Sequence, residues 1–259
     1  MKTNRLTKLI TGLLALCLAI VFMIKFAGPN ILRQYISSGI GGCKNIPILC
    51  MQPEEKFFSP VIDPEYLATL VPQKFPKMSI AIPKGFSLIQ ELIKKVYYKK
   101  RPNHNQAVIY LLRQEPLAFI KLYPDVQKQG VRDNKEFIDR LMRANLESVN
   151  NITDAFFVIM KSVFTPDIGN QSTAKMIKFK IQDKSGYINY TLTKPRILPF
   201  VSQILPRLQP ENAWQLNNYF DCNVLEADGN FFKLYIKDCG ANLDLNNVFT
   251  IISTLKPVN

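Results

Sequence analysis

The sequence predicts an α+β protein in which helices pack on a central antiparallel sheet, preceded by one N-terminal transmembrane helix. Residues 174–182 alternate apolar and polar side chains, which is the period of a strand with one buried face. Asp228-Gly229 separates two apolar runs and is typical of a β-hairpin turn. Asp133, followed three residues later by Glu136, marks the start of a helix. Strands joined by short turns and flanked by helices favour this fold class.

The N-terminal segment has the length of a membrane span. Residues 9–24 are sixteen positions without a charge, and extension to Gly28 gives twenty, about 30 Å of helix at about 1.5 Å per residue. A cleaved signal peptide is the alternative, but Lys25 and Phe26 stand at positions that cleavage would require to be small. We therefore expect an uncleaved anchor over residues 1–28, with a cytoplasmic N-terminus and an extracytoplasmic domain, periplasmic if the source is bacterial.

Four cysteines lie outside the predicted span. An even number agrees with disulfides in an oxidising compartment, and four unrelated buried thiols are the alternative. If Asp228-Gly229 is a two-residue turn, Cys222 and Cys239 are four residues out of register, about 13 Å apart at about 3.3 Å per residue, too far for a disulfide unless a bulge intervenes. Either Cys43 and Cys50 reach these strands, or Cys43 bonds to Cys50 and the strand thiols stay free.

The remainder of the chain predicts one domain behind a tether. Residues 29–76 contain seven prolines and paired glycines, so we expect a tether that lies against the domain, which covers residues 77–259. Residues 78–83 predict a first strand, and residues 107–113 and 117–123 predict a hairpin.

The second half predicts a helix, a meander, a hairpin and a final helix. The helix at Asp133 has an apolar stripe at helical spacing, and residues 156–164 predict a strand. The meander runs over residues 174–182 and 187–193, with a turn at 183–186. Residues 194–214, with four prolines, predict an insertion. A hairpin over residues 219–226 and 231–238 and a helix over 243–256, capped by Asn242 and ended by Pro257, complete the domain.

This order of elements resembles the PsbP-like fold, that of an extrinsic photosystem II subunit and its bacterial relatives. The features that carry the resemblance are the strand and turn over residues 80–86, the helix at Asp133, and the strand over 229–235 that leads into the C-terminal helix. The resemblance spans about residues 78–256, and the basic segment 92–101 and the insertion 194–214 depart from it. It implies a binding or assembly module that docks to other proteins.

The sequence offers no recognisable catalytic residue, metal site or cofactor site. His104 is the single histidine and stands in a polar loop sequence, where a solvated side chain is far more common than a catalytic base, and it leaves no Cys/His set for a typical zinc site. Carboxylate pairs such as Glu54-Glu55, or Asp221 with Asp238, could serve acid/base chemistry, but solvated acids are the simpler interpretation.

The strongest candidate contact surface is a basic segment. Without Lys2, Arg5 and Lys8, the chain's 33 basic residues still exceed its 20 acidic ones by ten, which favours anionic lipid head groups or an acidic partner. Nucleic acid is an unfavoured partner, because no nucleic-acid-binding motif is present. Five positive charges flank two tyrosines between residues 94 and 101, although a solvated face is the simpler interpretation. The segment comprises Lys94, Lys95, Tyr97, Tyr98, Lys99, Lys100 and Arg101.

Three functions follow as competing hypotheses. The first is a membrane-tethered, non-enzymatic module that docks to an envelope or membrane protein complex. The second is a protein that binds anionic lipid or polymer through its basic surface. The third is an enzyme whose site the sequence does not reveal.

Overall fold

The computed structural model describes residues 27–75, 77–92, 95–100, 107–165, 174–192, 217–239 and 242–258. They form an α+β protein with helices on both faces of an antiparallel sheet. The predicted insertion at 194–214 and His104 fall outside the described residues, as does the predicted span except for Ala27 and Gly28. Among the described helices, none is both long and apolar enough to cross a membrane.

A seven-stranded antiparallel sheet is the centre of the structure, with strand order β3-β4-β5-β9-β8-β7-β6. A second, three-stranded sheet has the order β1-β2-β10. The ten strands are β1 Leu70–Phe75, β2 Met78–Pro83, β3 Phe86–Leu92, β4 Lys95–Lys100, β5 Ala107–Gln114, β6 Lys175–Ile181, β7 Lys184–Thr191, β8 Asn217–Glu226, β9 Phe231–Cys239 and β10 Lys256–Pro257.

The described α-helices comprise three short ones of five or six residues and four longer ones of nine to thirteen residues. Two 3₁₀ turns, Pro47–Cys50 and Leu146–Ser148, accompany them. The α-helices are α1 Gly28–Ile40, α2 Pro64–Thr69, α3 Ala118–Leu122, α4 Pro124–Lys128, α5 Asn134–Arg143, α6 Ile152–Phe164 and α7 Leu245–Ser253.

Strands β6 to β9 of the central sheet are covered on both faces, by different layers. One face packs against α7 and the small sheet, where Cys222 and Val224 meet Phe249 and Ile80 in one apolar cluster. The other face packs against α1, α5 and α6 around Phe137 in a second cluster. Successive strand residues point to opposite faces, so β8 and β9 supply apolar side chains to both clusters.

Several elements confirm the sequence predictions. Strand β2 has the predicted bounds, and Asp133 caps α5 by accepting a 2.8 Å hydrogen bond from Glu136 N. The expected stripe of α5 is buried, with Phe137, Leu141 and Met142 fully shielded from solvent. The apolar face of α7 is also confirmed, but its cap is Asp244, which exchanges bonds with Asn247 in a capping box, and Pro257 belongs to β10.

Two predicted strands are helices. The predicted strand 117–123 holds α3, Ala118–Leu122, where Phe119 packs on Phe137 at 4.7 Å between ring centroids, and Asn134 Oδ1 accepts from Phe119 N. Residues 156–164 lie in α6, which Asn151 caps by accepting from Asp154 N. Short apolar runs fit a strand or a buried helix equally well, so packing and capping decide. The prediction failed because it gave no weight to the Asn151 cap.

The segment 29–76 contributes to the folded body. Ile36, Ile48 and Leu49 are buried in the helix-facing cluster. Phe58 bridges the edge strand β6, accepting at its carbonyl from Lys180 N and donating to Lys178 O. Such a bridge covers backbone groups that an edge strand would otherwise expose. Residues 70–75 then form β1 beside β2.

We expect Gly186→Ala to unfold or strongly destabilise the protein, because a Cβ at Gly186 would overlap the backbone oxygen of Asn223 on the neighbouring strand. A backbone atom cannot move aside as a flexible side chain can, so the free energy of unfolding should fall by more than about 3 kcal/mol. Gly39→Ala in α1 is the control, since nothing lies within 4 Å of its new Cβ. Urea denaturation followed by circular dichroism measures both, and equal stabilities would contradict the expectation.

Candidate functional site

A row of polar side chains crosses the helix-facing side of β7, β8 and β9, where an apolar core would be expected. The strand register pairs Asn189 with Asp221 and Asn223 with Lys233. Asn189 and Asp221 are wholly buried and Asn223 is 2% exposed. Because alternation aims all four toward the helices, they form one continuous cluster.

The centre of the row is a buried ion pair. Lys233 Nζ lies 2.5 Å from Asp221 Oδ1, and it also donates to Asn223 Oδ1 at 3.1 Å and to the Phe164 carbonyl at 3.2 Å. Asn189 Nδ2 faces Asp221 Oδ2 at 3.5 Å. Burial raises the pKa of the Asp221 carboxyl, and the Lys233 ammonium opposes that rise. The three acceptors use all three ammonium protons of Lys233.

A groove of about 630 Å³ opens beside this row, between the sheet and α3 and α6. The Phe119 ring packs edge-on against Phe164 and Phe231, at centroid distances of 5.3 and 5.1 Å. Leu122 and Val163 form the outer lip and are 60% and 71% exposed. Six of the lining residues are aromatic, namely Tyr110, Phe119, Tyr123, Phe164, Phe231 and Tyr235.

The groove is suited to apolar rather than anionic contacts. Lys233 is the one charged residue among the described residues that line it, and its ammonium is engaged by Asp221, Asn223 and Phe164. Aromatic walls gain from burying apolar side chains and offer ring edges and faces for packing. An apolar segment of another molecule is the ligand that such a surface binds best.

The structure places part of the basic segment next to this groove. Strand β4 lies between β3 and β5, with Tyr97 opposite Tyr110 and Lys95 opposite Leu112. Lys95, Tyr97 and Lys99 therefore share the groove face, whereas Tyr98 and Lys100 occupy positions on the opposite face. Lys94 and Arg101 fall outside the described residues. The predicted contact surface is thus divided between two faces of the sheet.

The carboxylates that could have formed an acid/base pair are separated. Asp221 belongs to the polar row, whereas the Asp238 position lies on the opposite face, where Asp238 Oδ2 accepts from Leu243 N at 2.6 Å. Glu54 and Glu55 are exposed. Each carboxylate therefore has a structural or a solvated environment of its own.

The structure decides between the two disulfide pairings that the sequence left open. Cys43 and Cys50 form a local disulfide with Cα atoms 5.6 Å apart, and Cys222 is a buried free thiol whose pKa is raised by burial. The hairpin register differs from the prediction by one residue, because the loop holds three residues with Gly229 at φ +86°. Cys239 accordingly pairs with Asn217 and lies five positions from Cys222.

Glu147 approaches the disulfide, its carboxylate lying within 4.8 Å of both sulfurs. Two thiolates and a carboxylate could hold a metal ion, but here the sulfurs are bonded to each other. The hydrogen bond that joins this segment to the turn at Leu146–Ser148 comes from Asn145, whose Nδ2 donates to the Cys50 carbonyl at 3.1 Å.

Lys161 is a buried residue that the sequence analysis missed. Its ammonium donates to the carbonyls of Met51, Met142 and Ala144 at 2.7–2.9 Å, which joins the N-terminal segment to the end of α5. Burial lowers its pKa to about 7, while three carbonyl acceptors favour the charged form. A lysine at the apolar spacing of a helix, after Ala155 and Val158, is the signal that could have identified it.

Comparisons with known proteins leave the family open. No model of a known protein family matches the chain, and no curated protein matches its sequence. A crystal structure from Bacteroides thetaiotaomicron VPI-5482 aligns with a TM-score of 0.35 at 7% identity, covering 70% of this chain and 45% of that one. The chain thus spans less than half the length of that protein, and a likeness at this level does not define the fold.

We expect removal of one partner of the buried ion pair to lower the free energy of unfolding far more than removal of one partner of an exposed ion pair. Asp221→Ala leaves the Lys233 ammonium buried without its counter-charge, a loss of about 3–5 kcal/mol. Lys233→Met added to it should restore part of this loss. Asp125→Ala, which breaks an exposed pair with Lys128, should lower the free energy of unfolding only slightly. Urea denaturation measures all four proteins, and equal losses at Asp221 and Asp125 would refute the assignment.

We expect the Cys43–Cys50 disulfide in protein purified without reductant. Non-reducing peptide mapping should find this link and a Cys222 thiol that alkylates only after unfolding. The Cys43→Ser/Cys50→Ser variant should lose about 2–3 kcal/mol, the chain-entropy value for so short a loop. Free thiols at both positions in the native protein would contradict the disulfide and the oxidising compartment with it.

Proposed function

We propose that this chain is a membrane-anchored, extracytoplasmic interaction module without catalytic activity. The anchor is the uncharged run of residues 9–24, and the disulfide supports an oxidising location. The resemblance to the PsbP-like fold agrees with a docking role. The single observation that carries the binding function is the aromatic groove beside Lys233.

The proposed ligand is an apolar segment of a membrane-associated protein, flanked by acidic residues. The groove takes the apolar part, because its aromatic walls lack a free charge. The acidic flank pairs with strand β4, since Lys95 and Lys99 occupy groove-face positions opposite Leu112 and Val108. This division explains why a basic segment stands beside an apolar groove.

The charged groups of the polar row are bonded to each other and to neighbouring residues, which supports a binding module over an enzyme. Asp221 is fully buried, and the Lys233 ammonium already meets three acceptors, so neither group is presented to a substrate as a free acid or base.

We expect a photocrosslinking amino acid at Leu122 to capture a specific protein in intact cells of the source organism, because Leu122 forms the groove lip. Val163→Arg, at an exposed position, should abolish the adduct by placing a charge in the groove without unfolding the domain. Mass spectrometry identifies the adduct. The crosslinker at Val61, which is 79% exposed on a different surface, is the control.

A matched pair of charge variants tests the role of β4. Lys99→Gln should reduce the Leu122 adduct most at low ionic strength, whereas Lys100→Gln, at a position on the opposite face, should not. An adduct with lipid mass would favour the alternative function, binding of anionic lipid. Equal adducts at Leu122 and Val61, or an adduct insensitive to Val163→Arg, would refute the groove as the docking site.

A further inference from the structure

A second apolar surface lies where the folded domain meets the predicted anchor. Ile31 and Tyr35, one turn apart on α1, are 65% and 75% exposed, and Ile152 at the start of α6 is 78% exposed. They border a depression of about 690 Å³ between the two helices. We name Ile31, Tyr35 and Ile152 the α1–α6 patch.

The patch includes the outer side of α1, because the opposite side of this helix packs against the domain. Ile36 is buried in the helix-facing cluster and Leu32 packs against it, which accounts for the core-facing side of α1. None of the nine described residues that line the depression is charged. A contiguous, uncharged apolar surface outside the core marks a contact with a protein or a membrane.

The position of the patch in the chain favours a membrane over a protein as the contact. The predicted span of twenty residues ends at Gly28, and Ile31 follows Gly28 by three residues, about 4.5 Å along a helix at about 1.5 Å per residue. The head-group region on each side of the hydrocarbon core is about 5–7 Å thick. A bilayer spanned by residues 9–28 therefore has Ile31 at the depth of its head groups.

The orientation of α1 is fixed by contacts with the domain. Arg33 Nε donates to the Val149 carbonyl at 3.0 Å, and its Nη2 donates to Asn150 Oδ1 at 3.4 Å. These bonds hold α1 against the turn before α6, so Ile31, Tyr35 and Ile152 form one rigid surface. Tyrosine is enriched at membrane interfaces, because its ring buries while its hydroxyl stays hydrated.

We propose that the α1–α6 patch rests in the interfacial layer of the bilayer and sets the orientation of the domain on the membrane. The inference rests on the proposed anchor. It adds that the domain is held by its own surface as well as by the span, and that the groove beside Lys233 is presented in a fixed direction.

Fluorescence quenching by brominated lipids tests the patch in the full-length protein reconstituted in liposomes. Trp214 is the single tryptophan of the chain, so the Trp214→Phe variant has no tryptophan fluorescence and serves as the background. Tyr35→Trp in that background should be quenched several-fold more by lipids brominated high on the acyl chain than Val61→Trp, a similarly exposed position at 79%. Ile31→Asp should reduce the quenching of Tyr35→Trp, because a carboxylate beside it disfavours entry into the interface.

The outcomes separate the patch from the anchor. Extraction of the membranes with alkaline carbonate tests the anchor separately. If the protein stays in the membrane after this extraction and Tyr35→Trp is quenched no more than Val61→Trp, the anchor stands and the patch proposal is overturned. If carbonate releases the protein, the anchor is wrong, and this inference falls with it. Circular dichroism of each variant confirms that the exposed substitutions leave the fold intact.

Discussion

The structure depends on the need to cover both faces of one antiparallel sheet. Strands β8 and β9 alternate large apolar side chains between the two sides, so that Val224 and Phe232 face one cluster while Leu225 and Phe231 face the other. Apolar surface left in water costs about 25 cal/mol per Å², so neither face can remain open. The chain meets this demand with segments far apart in sequence: α1, α5 and α6 on one side, and α7 with β1, β2 and β10 on the other.

The helix layer leaves room for the polar row and the groove. Asp221 and Lys233 occupy positions that would otherwise be apolar, and their ion pair offsets the cost of burying each charge. The same lysine holds the Phe164 carbonyl at the end of α6. The groove begins there, so the polar row fixes the helix end that forms one wall of the proposed binding surface.

The N-terminal segment connects the proposed anchor to the core through rigid contacts. Arg33 joins α1 to the turn before α6, the Cys43–Cys50 bond closes the next loop, and Lys161 binds the Met51 carbonyl from inside the domain. Each contact costs conformational freedom that a flexible linker would keep. These contacts fix α1 and the loop that follows it against the domain.

The sequence by itself determined the elements whose local signals agree with one another. The capped helix at Asp133, strand β2 and the hairpin at Gly229 were predicted because caps, alternation and turn residues act over a few positions. Tertiary structure decided the state of residues 117–123 and 156–164, since an apolar run becomes helix or strand according to what buries it. It also decided the Asp221–Lys233 pair and the groove, because these join residues that only the folded sheet brings together. The local disulfide was one of the two pairings that the sequence left open, and the structure selected it.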